Sequence, residues 1–528
     1  MSSDAKDQTA AIAPLVQEMK EALAKQDTAG LQSLVKGIQE KQLCQAVVDS
    51  LVPHLFDESS EEFLSLVGCL VSVDAATYLK PVSRAVKTQA ILRASSMDTS
   101  MTISPAFLGV MVSQLSGNDV EVSSNASEAL VASCRKMGPS LSDPALEAIT
   151  AAWKQAWDNM ASADNRASRN AASTVCVRCA STMVDLIVTL GDPLMKAATT
   201  QPPSNNNNNS AMDLLLQMLL YEKDPLLQMS VLDLLEQLAT TLPMHLLRAQ
   251  WLCAPLVLNP LLEMAGAVED MGADPLLGGP SLRVLACLCR LGQRDTDLFH
   301  SAGGHDVLLG FHKALHHFCQ GTSGELDRLA AVDAISSFAS ASPEALELVL
   351  DDPIVRDGWL GLAVAQPKLK AVIVTSVAMV IDPAPPSVDA NGDAVTTANI
   401  PNNAQAMKLF SLLGQLNHGV SSAELVLSLA KSPLPETRLA TYSLAKAVAK
   451  TSSGAQVLLS QPGFFELLLN RENERTMEGK EGKYAVVQAI MNSPAKGLLA
   501  DEIVMKLQKV LNEGPHYVAP IRPELMTE

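Results

Sequence analysis

Apolar residues recur along this chain at i, i+4, i+7 and i+8, the spacing that lines one side of an α-helix. Leu227, Val231, Leu234 and Leu235 follow it, as do Ala331, Ile335, Phe338 and Ala339, then Ile373, Val377, Val380 and Ile381, then Ala440, Leu444, Ala447 and Val448. Leu282, Leu285, Ala286 and Cys289 keep the related i, i+3, i+4, i+7 spacing, and Val122, Ala126, Ala129 and Leu130 follow the first spacing with smaller side chains that let helices approach closely. Each run predicts an amphipathic helix whose apolar stripe must be covered by a neighbour. Several are preceded by turn chemistry: Gly117-Asn118-Asp119, Lys223-Asp224-Pro225, Gly279-Pro280-Ser281 and Pro433-Leu434-Pro435-Glu436. Proline costs little in a first turn, and Asp or Ser can accept from the free amides there.

Helices of one type that start near 119, 224, 281, 327, 368 and 436 predict a repeat array, with a weaker unit inside Asp164 to Leu190 filling the longest gap. The expected fold is all-α, an armadillo/HEAT-like α-solenoid forming a curved superhelix of stacked repeats. Its expected division is N-terminal repeats over 1–198, an Asn/Pro-rich loop over 199–210, central repeats over 211–381, a Pro/Asn-rich loop over 382–403, C-terminal repeats and cap over 404–518, and a tail over 519–528. The loops are read from Pro202, Pro203 and the run Asn205 to Asn209, and from Pro383, Pro385, Pro386, Asn391-Gly392 and Pro401.

Composition agrees with helix-on-helix packing, since 48% of residues are apolar but only 4% aromatic. A net charge of -18 disfavours nucleic acid and anionic membrane as partners, because both repel an acidic surface. The excess is uneven: from Pro435 onward 11 Lys and Arg face 11 Asp and Glu, so all of it lies upstream. A basic protein face would suit that acidic part. Met1 to Gln8 is polar and no cleavable signal is expected, while Ala371 to Ile381 has about half the ~20 residues of a membrane span. Nine irregularly spaced cysteines suggest reduced thiols, so a soluble protein of the cytoplasm or nucleus is expected.

Chemistry-bearing clusters are sparse. His312 and His316 lie one helical turn apart, near His317 and Cys319, but the run has no acidic residue to serve as a base and reads as a polar helix face. Cys176 and Cys179 lack the second pair of a zinc ribbon and read as core thiols, and Cys287 and Cys289 would point to different sides of one helix. Gly479-Lys480-Glu481-Gly482-Lys483 has two residues between its glycines where a phosphate-binding loop has four. No catalytic residue, metal or cofactor is assigned, and no enzymatic activity is expected.

The C-terminal stretch is more specific. Glu436-Thr437-Arg438-Leu439-Ala440, Pro462-Gly463-Phe464 with Glu466, Arg471 and Glu474, then Gly479-Lys480-Glu481, Lys483-Tyr484, Val487 and Glu513-Gly514-Pro515 with Tyr517-Val518 resemble the C-terminal signature of the 26S proteasome non-ATPase regulatory subunit 5 family. Asn470 and His516 depart from that pattern. The resemblance implies a chaperone of regulatory-particle assembly, which binds the C-terminal domain of a base ATPase subunit, alongside other base subunits in an assembly intermediate, and leaves before the mature 26S proteasome forms. Phe464, Arg471, Lys480, Lys483, Tyr484 and Tyr517 are the candidate partner-binding or capping residues. Arg471 and Lys483 are expected to pair with Glu474 or Glu481 at the surface. The alternative is a general armadillo/HEAT interaction scaffold or transport adaptor, against which the small number of tryptophans argues; a metal-dependent hydrolase built on His312 is the third reading.

Overall fold

The computed structural model of this chain describes residues 14–22, 25, 30, 33–34, 37, 111–115, 120–137, 139–199, 210–222, 224–267, 273–320, 325–362, 367–382, 403–417 and 419–517. Every regular element among them is helical. The interior of both sequence-predicted loops, 200–209 and 383–402, lies outside the described residues, as does the tail. The chain forms two compact units, Met1–Arg248 and Ala249–Glu528.

In the first unit the long helices are α1 (Val120–Met137), α2 (Pro139–Ala161), α3 (Arg166–Leu190) and α4 (Pro225–Thr240). Helix α3 packs against α1, α2 and α4, so it is the weak unit that the sequence spacing requires. It begins where Asn165 accepts a hydrogen bond from the Ser168 amide at 2.8 Å. Asp224 does the same for α4, accepting from Leu226 N at 3.0 Å with Pro225 in the first helical position. Helix α3 is also long and apolar enough to cross a membrane, which corrects the expectation that no stretch of this chain reaches that length. Its polar first half masks the apolar run, and Cys176, Cys179, Leu186 and Ile187 are buried against neighbouring helices.

The second unit contains α5 (Gly278–Arg294), α6 (Gly304–Gln320), α7 (Glu325–Ala341), α8 (Pro367–Ile381), α9 (Pro435–Ala449), α10 (Met477–Asn492) and α11 (Asp501–Glu513). Helices α5, α7, α8, α9 and α10 lie side by side in that order, each packed on the next, and α11 closes against α10. Shorter helices, among them Pro343–Asp351, Ser422–Ala430 and Phe464–Leu469, pack onto this row. The apolar positions that define the repeats in the sequence are all buried, in both units. Burying each Leu, Ile or Phe contributes about 1.5–3 kcal/mol, which makes the shared stripe the main cohesive force of the array. Phe338 and Phe311 meet edge-on at 5.6 Å between ring centroids.

Most exposed positions on the same row are polar or small, among them Arg283, Asp333, Lys368, Thr375, Ser443, Lys446, Lys450, Gln488 and Asn492, with Met379 and Met477 as apolar exceptions. Ion pairs link neighbouring helices there, with Arg290 2.7 Å from Asp333 and Lys450 2.6 Å from Asp382. Helix α10 was not among the sequence-predicted repeat starts. Its opening Met477-Glu478-Gly479-Lys480-Glu481-Gly482 interrupts the apolar period, although Val486, Val487 and Ile490 supply a buried stripe.

Candidate functional site

The residues that set the C-terminal stretch apart converge at the joint between α9 and α10. Glu474, in the turn before α10, is 2% exposed and forms a two-pronged ion pair with Arg438 of α9, at 2.8 Å from Nε and 2.9 Å from Nη2. Its carboxylate also accepts from the Tyr442 hydroxyl, the Thr476 hydroxyl and the Arg475 and Thr476 amides. Burial raises the affinity of this carboxyl for a proton, but the hydrogen bonds from Arg438 and Thr476 outweigh it and hold the pKa at about 2. Arg438 also donates to the carbonyls of Ser432 and Pro433, fixing the proline turn that starts α9.

Two glycines make this approach possible. A Cβ at Gly479 would stand 2.3 Å from the Glu474 carboxyl carbon, and one at Gly482 would stand 3.1 Å from the Tyr442 ring. Three residues apart, they occupy one face of α10, and Thr476 caps the helix by accepting from Gly479 N. The Gly-Lys-Glu-Gly-Lys run is therefore a close-packing surface on a helix.

A second set of contacts ties down the end of the described chain. Arg471 donates to the carbonyls of Gly514 and Val510 at 2.8 and 3.4 Å, pairs with Glu513 at 3.1 Å, and stands 5.3 Å from the centre of the Tyr517 ring. Tyr484 donates to the Leu511 carbonyl at 3.3 Å, and His516 lies 3.1 Å from Glu481. Lys483 is buried and donates to the Asn470 carbonyl. Desolvation pulls its ammonium down to about 8, opposed by Glu474 and assisted by Arg471. The expected pairing of Arg471 and Lys483 with Glu474 or Glu481 is thus corrected: Glu474 belongs to Arg438, Arg471 to Glu513, and Lys483 to a backbone carbonyl. Long arginine and lysine side chains reach across helices, so sequence neighbours lose to spatial ones.

Arg471, Lys480, Lys483 and Tyr484 share the lining of a cavity of about 20 Å³, room for about one water. Tyr517 joins them through Arg471. Phe464 stands apart, 1% exposed in the core at the start of the helix Phe464–Leu469. Sequence reading missed Arg438, Tyr442 and Glu474 as one unit; the i, i+3 glycines of α10 were the signal that a side chain closes over that helix.

The other clusters have structural surroundings. His312 and His316 of α6 lie 3.3 and 3.9 Å from Asp352, so an acidic group absent from their own run arrives from a different helix pair. The remaining Asp352 oxygen caps the helix Pro353–Leu360 by accepting from Ile354 and Val355 amides. Burial holds His312 below the usual imidazole range, with Asp352 opposing. Among the described residues no group of three or more His, Cys, Asp or Glu converges to hold a metal ion. Cys176 and Cys179 are buried free thiols, each pushed up to about 12 by desolvation.

Comparison with known proteins bears on the C-terminal region. Residues 396–525 match the family described as proteasome non-ATPase 26S subunit. Over 99 residues the chain is 30% identical to 26S proteasome non-ATPase regulatory subunit 5 of Bos taurus and 29% identical to that of Homo sapiens. Each alignment covers 19% of this chain and 20% of the relative, so the match spans about a fifth of the length of the curated relatives. Among solved structures, an engineered protein aligns over 93% of this chain and 97% of its own with a TM-score of 0.40 and 14% identity. A designed armadillo repeat protein in complex with a peptide aligns over 52% and 98% with a TM-score of 0.37 and 16% identity.

Proposed function

We propose, from the match of residues 396–525 to the family of proteasome non-ATPase 26S subunits, that the chain is a chaperone for assembly of the regulatory-particle base. In this reading it binds the C-terminal domain of a base ATPase subunit, within an intermediate that contains other base subunits, and leaves before the mature 26S proteasome forms. It acts by holding a surface and not by catalysis, in the cytoplasm or nucleus.

One observation carries the reading: the segment that matches the family is the one in which Arg438, Glu474, Gly479 and Arg471 build the last joint and cap of the helix row. A rigid end keeps the exposed row of α8, α9 and α10 in one geometry, which lowers the ordering cost of holding a partner. Stabilising an intermediate requires only that the chain bind it better than it binds the finished particle. Release then follows when docking to the 20S core offers contacts that compete for the same ATPase surface.

Affinity purification of the tagged full chain from cell extract tests this. Base ATPase subunits should be enriched and 20S core subunits absent. Recovery of complete 26S particles, or of neither set, would overturn the proposal.

A further inference from the structure

Between α9 and α10 lies an open pocket of about 180 Å³, lined by Lys446, Lys450, Gln488 and Asn492 over a small-residue floor that includes Ala485. No carboxylate lines it, although the chain as a whole carries a net charge of -18. Lys450 already meets a carboxylate, that of Asp382 at the end of the neighbouring helix, whereas Lys446 has no ion pair among the described residues. The pocket therefore presents one ammonium with a carboxylate seated on it and a second, one turn away, without one.

Spacing decides what fits. Residues four apart on a helix are separated by about 6 Å along its axis. Alternate residues of an extended strand are separated by about 6.7 Å and point to the same side. Lys446 and Lys450 thus match two acidic side chains at positions i and i+2 of an extended segment. Gln488 and Asn492 repeat the one-turn spacing on the facing helix, and their carboxamides can both donate to and accept from a main chain.

We propose that this groove holds an extended segment of a partner protein with acidic residues at alternate positions, one on Lys446 and one displacing Asp382 from Lys450. The proposal rests on the reading of this face as the contact surface and names the chemistry it recognises.

Fluorescence polarisation with the full chain and a rhodamine-labelled, amidated peptide Ala-Glu-Ala-Glu-Ala tests it. Saturable binding is expected, weakened at least about tenfold by Lys446→Glu and lost as salt rises. Asn492→Ala, at a solvent-exposed position, should weaken it about threefold while leaving the circular dichroism spectrum unchanged. Absence of saturation up to about 1 mM peptide, equal binding by the Lys446→Glu chain, or equal binding of Ala-Lys-Ala-Lys-Ala would overturn it; the two lysines would then only complement the carboxyl end of α9. The two proposals fail separately. Purified ATPases together with a peptide that does not bind would remove the groove and keep the chaperone reading, and the reverse result would do the opposite.

Discussion

Glu474 illustrates how one residue is set by its surroundings. Its side chain is nearly inaccessible, yet it stays ionised because Arg438 offers two parallel donors and the turn before α10 offers two amides. Removing one partner of a buried pair leaves the other charged and uncompensated, so Glu474→Ala should cost about 3 kcal/mol in urea denaturation. The pH dependence has a definite sign. The folded pKa of about 2 lies below the ordinary 4.5, so the stabilisation is complete above that ordinary value and is lost as pH falls from about 4.5 toward 2. The variant should show a correspondingly shallower fall in stability over that window. An equal fall in both proteins would show that other carboxyls dominate acid unfolding. None of this pairing could be read from the chain: Arg438 and Glu474 are 36 residues apart, and Arg471 and Glu513 are 42 apart. Charged side chains choose partners by reach after folding, and a one-dimensional pattern records only that both are present.

At the scale of elements, the repeats were legible where burial is purely apolar and illegible where it is not. The starts expected near 119, 224, 281, 327, 368 and 436 fall within a turn of the observed helices at Val120, Pro225, Gly278, Glu325, Pro367 and Pro435. Helix α10 escaped because its first turns approach Glu474 and the Tyr442 ring of α9 through Gly479 and Gly482, neither of which gives a hydrophobic period. The same feature predicts unequal responses of its two glycines. Gly479→Ala drives a methyl to 2.3 Å from the Glu474 carboxyl carbon, and the resulting clash should cost about 1–3 kcal/mol. Gly482→Ala meets the Tyr442 ring at 3.1 Å, close enough that a small shift suffices. There the gain of about 1 kcal/mol in helix propensity offsets the crowding and leaves stability nearly unchanged. Thermal melts of the two variants check this; equal melting temperatures would contradict the closeness of the Glu474 contact.

At the scale of the whole molecule, two units of stacked helices account for the length and for the high apolar, low aromatic composition. The family match lies in the second unit, whose terminal joint depends on particular side chains, whereas the buried stripes of the other repeats require only apolar residues of suitable size. In the proposed function this unit holds a proteasomal ATPase domain on its exposed helix row. The most direct measurement is size-exclusion chromatography of the purified full chain mixed, one at a time, with the C-terminal domains of the base ATPase subunits, followed by addition of 20S core. A stoichiometric complex with one of these domains, which the core does not join, is expected. Failure of every domain to co-elute, or a complex that docks onto the core with the chain still bound, would contradict it.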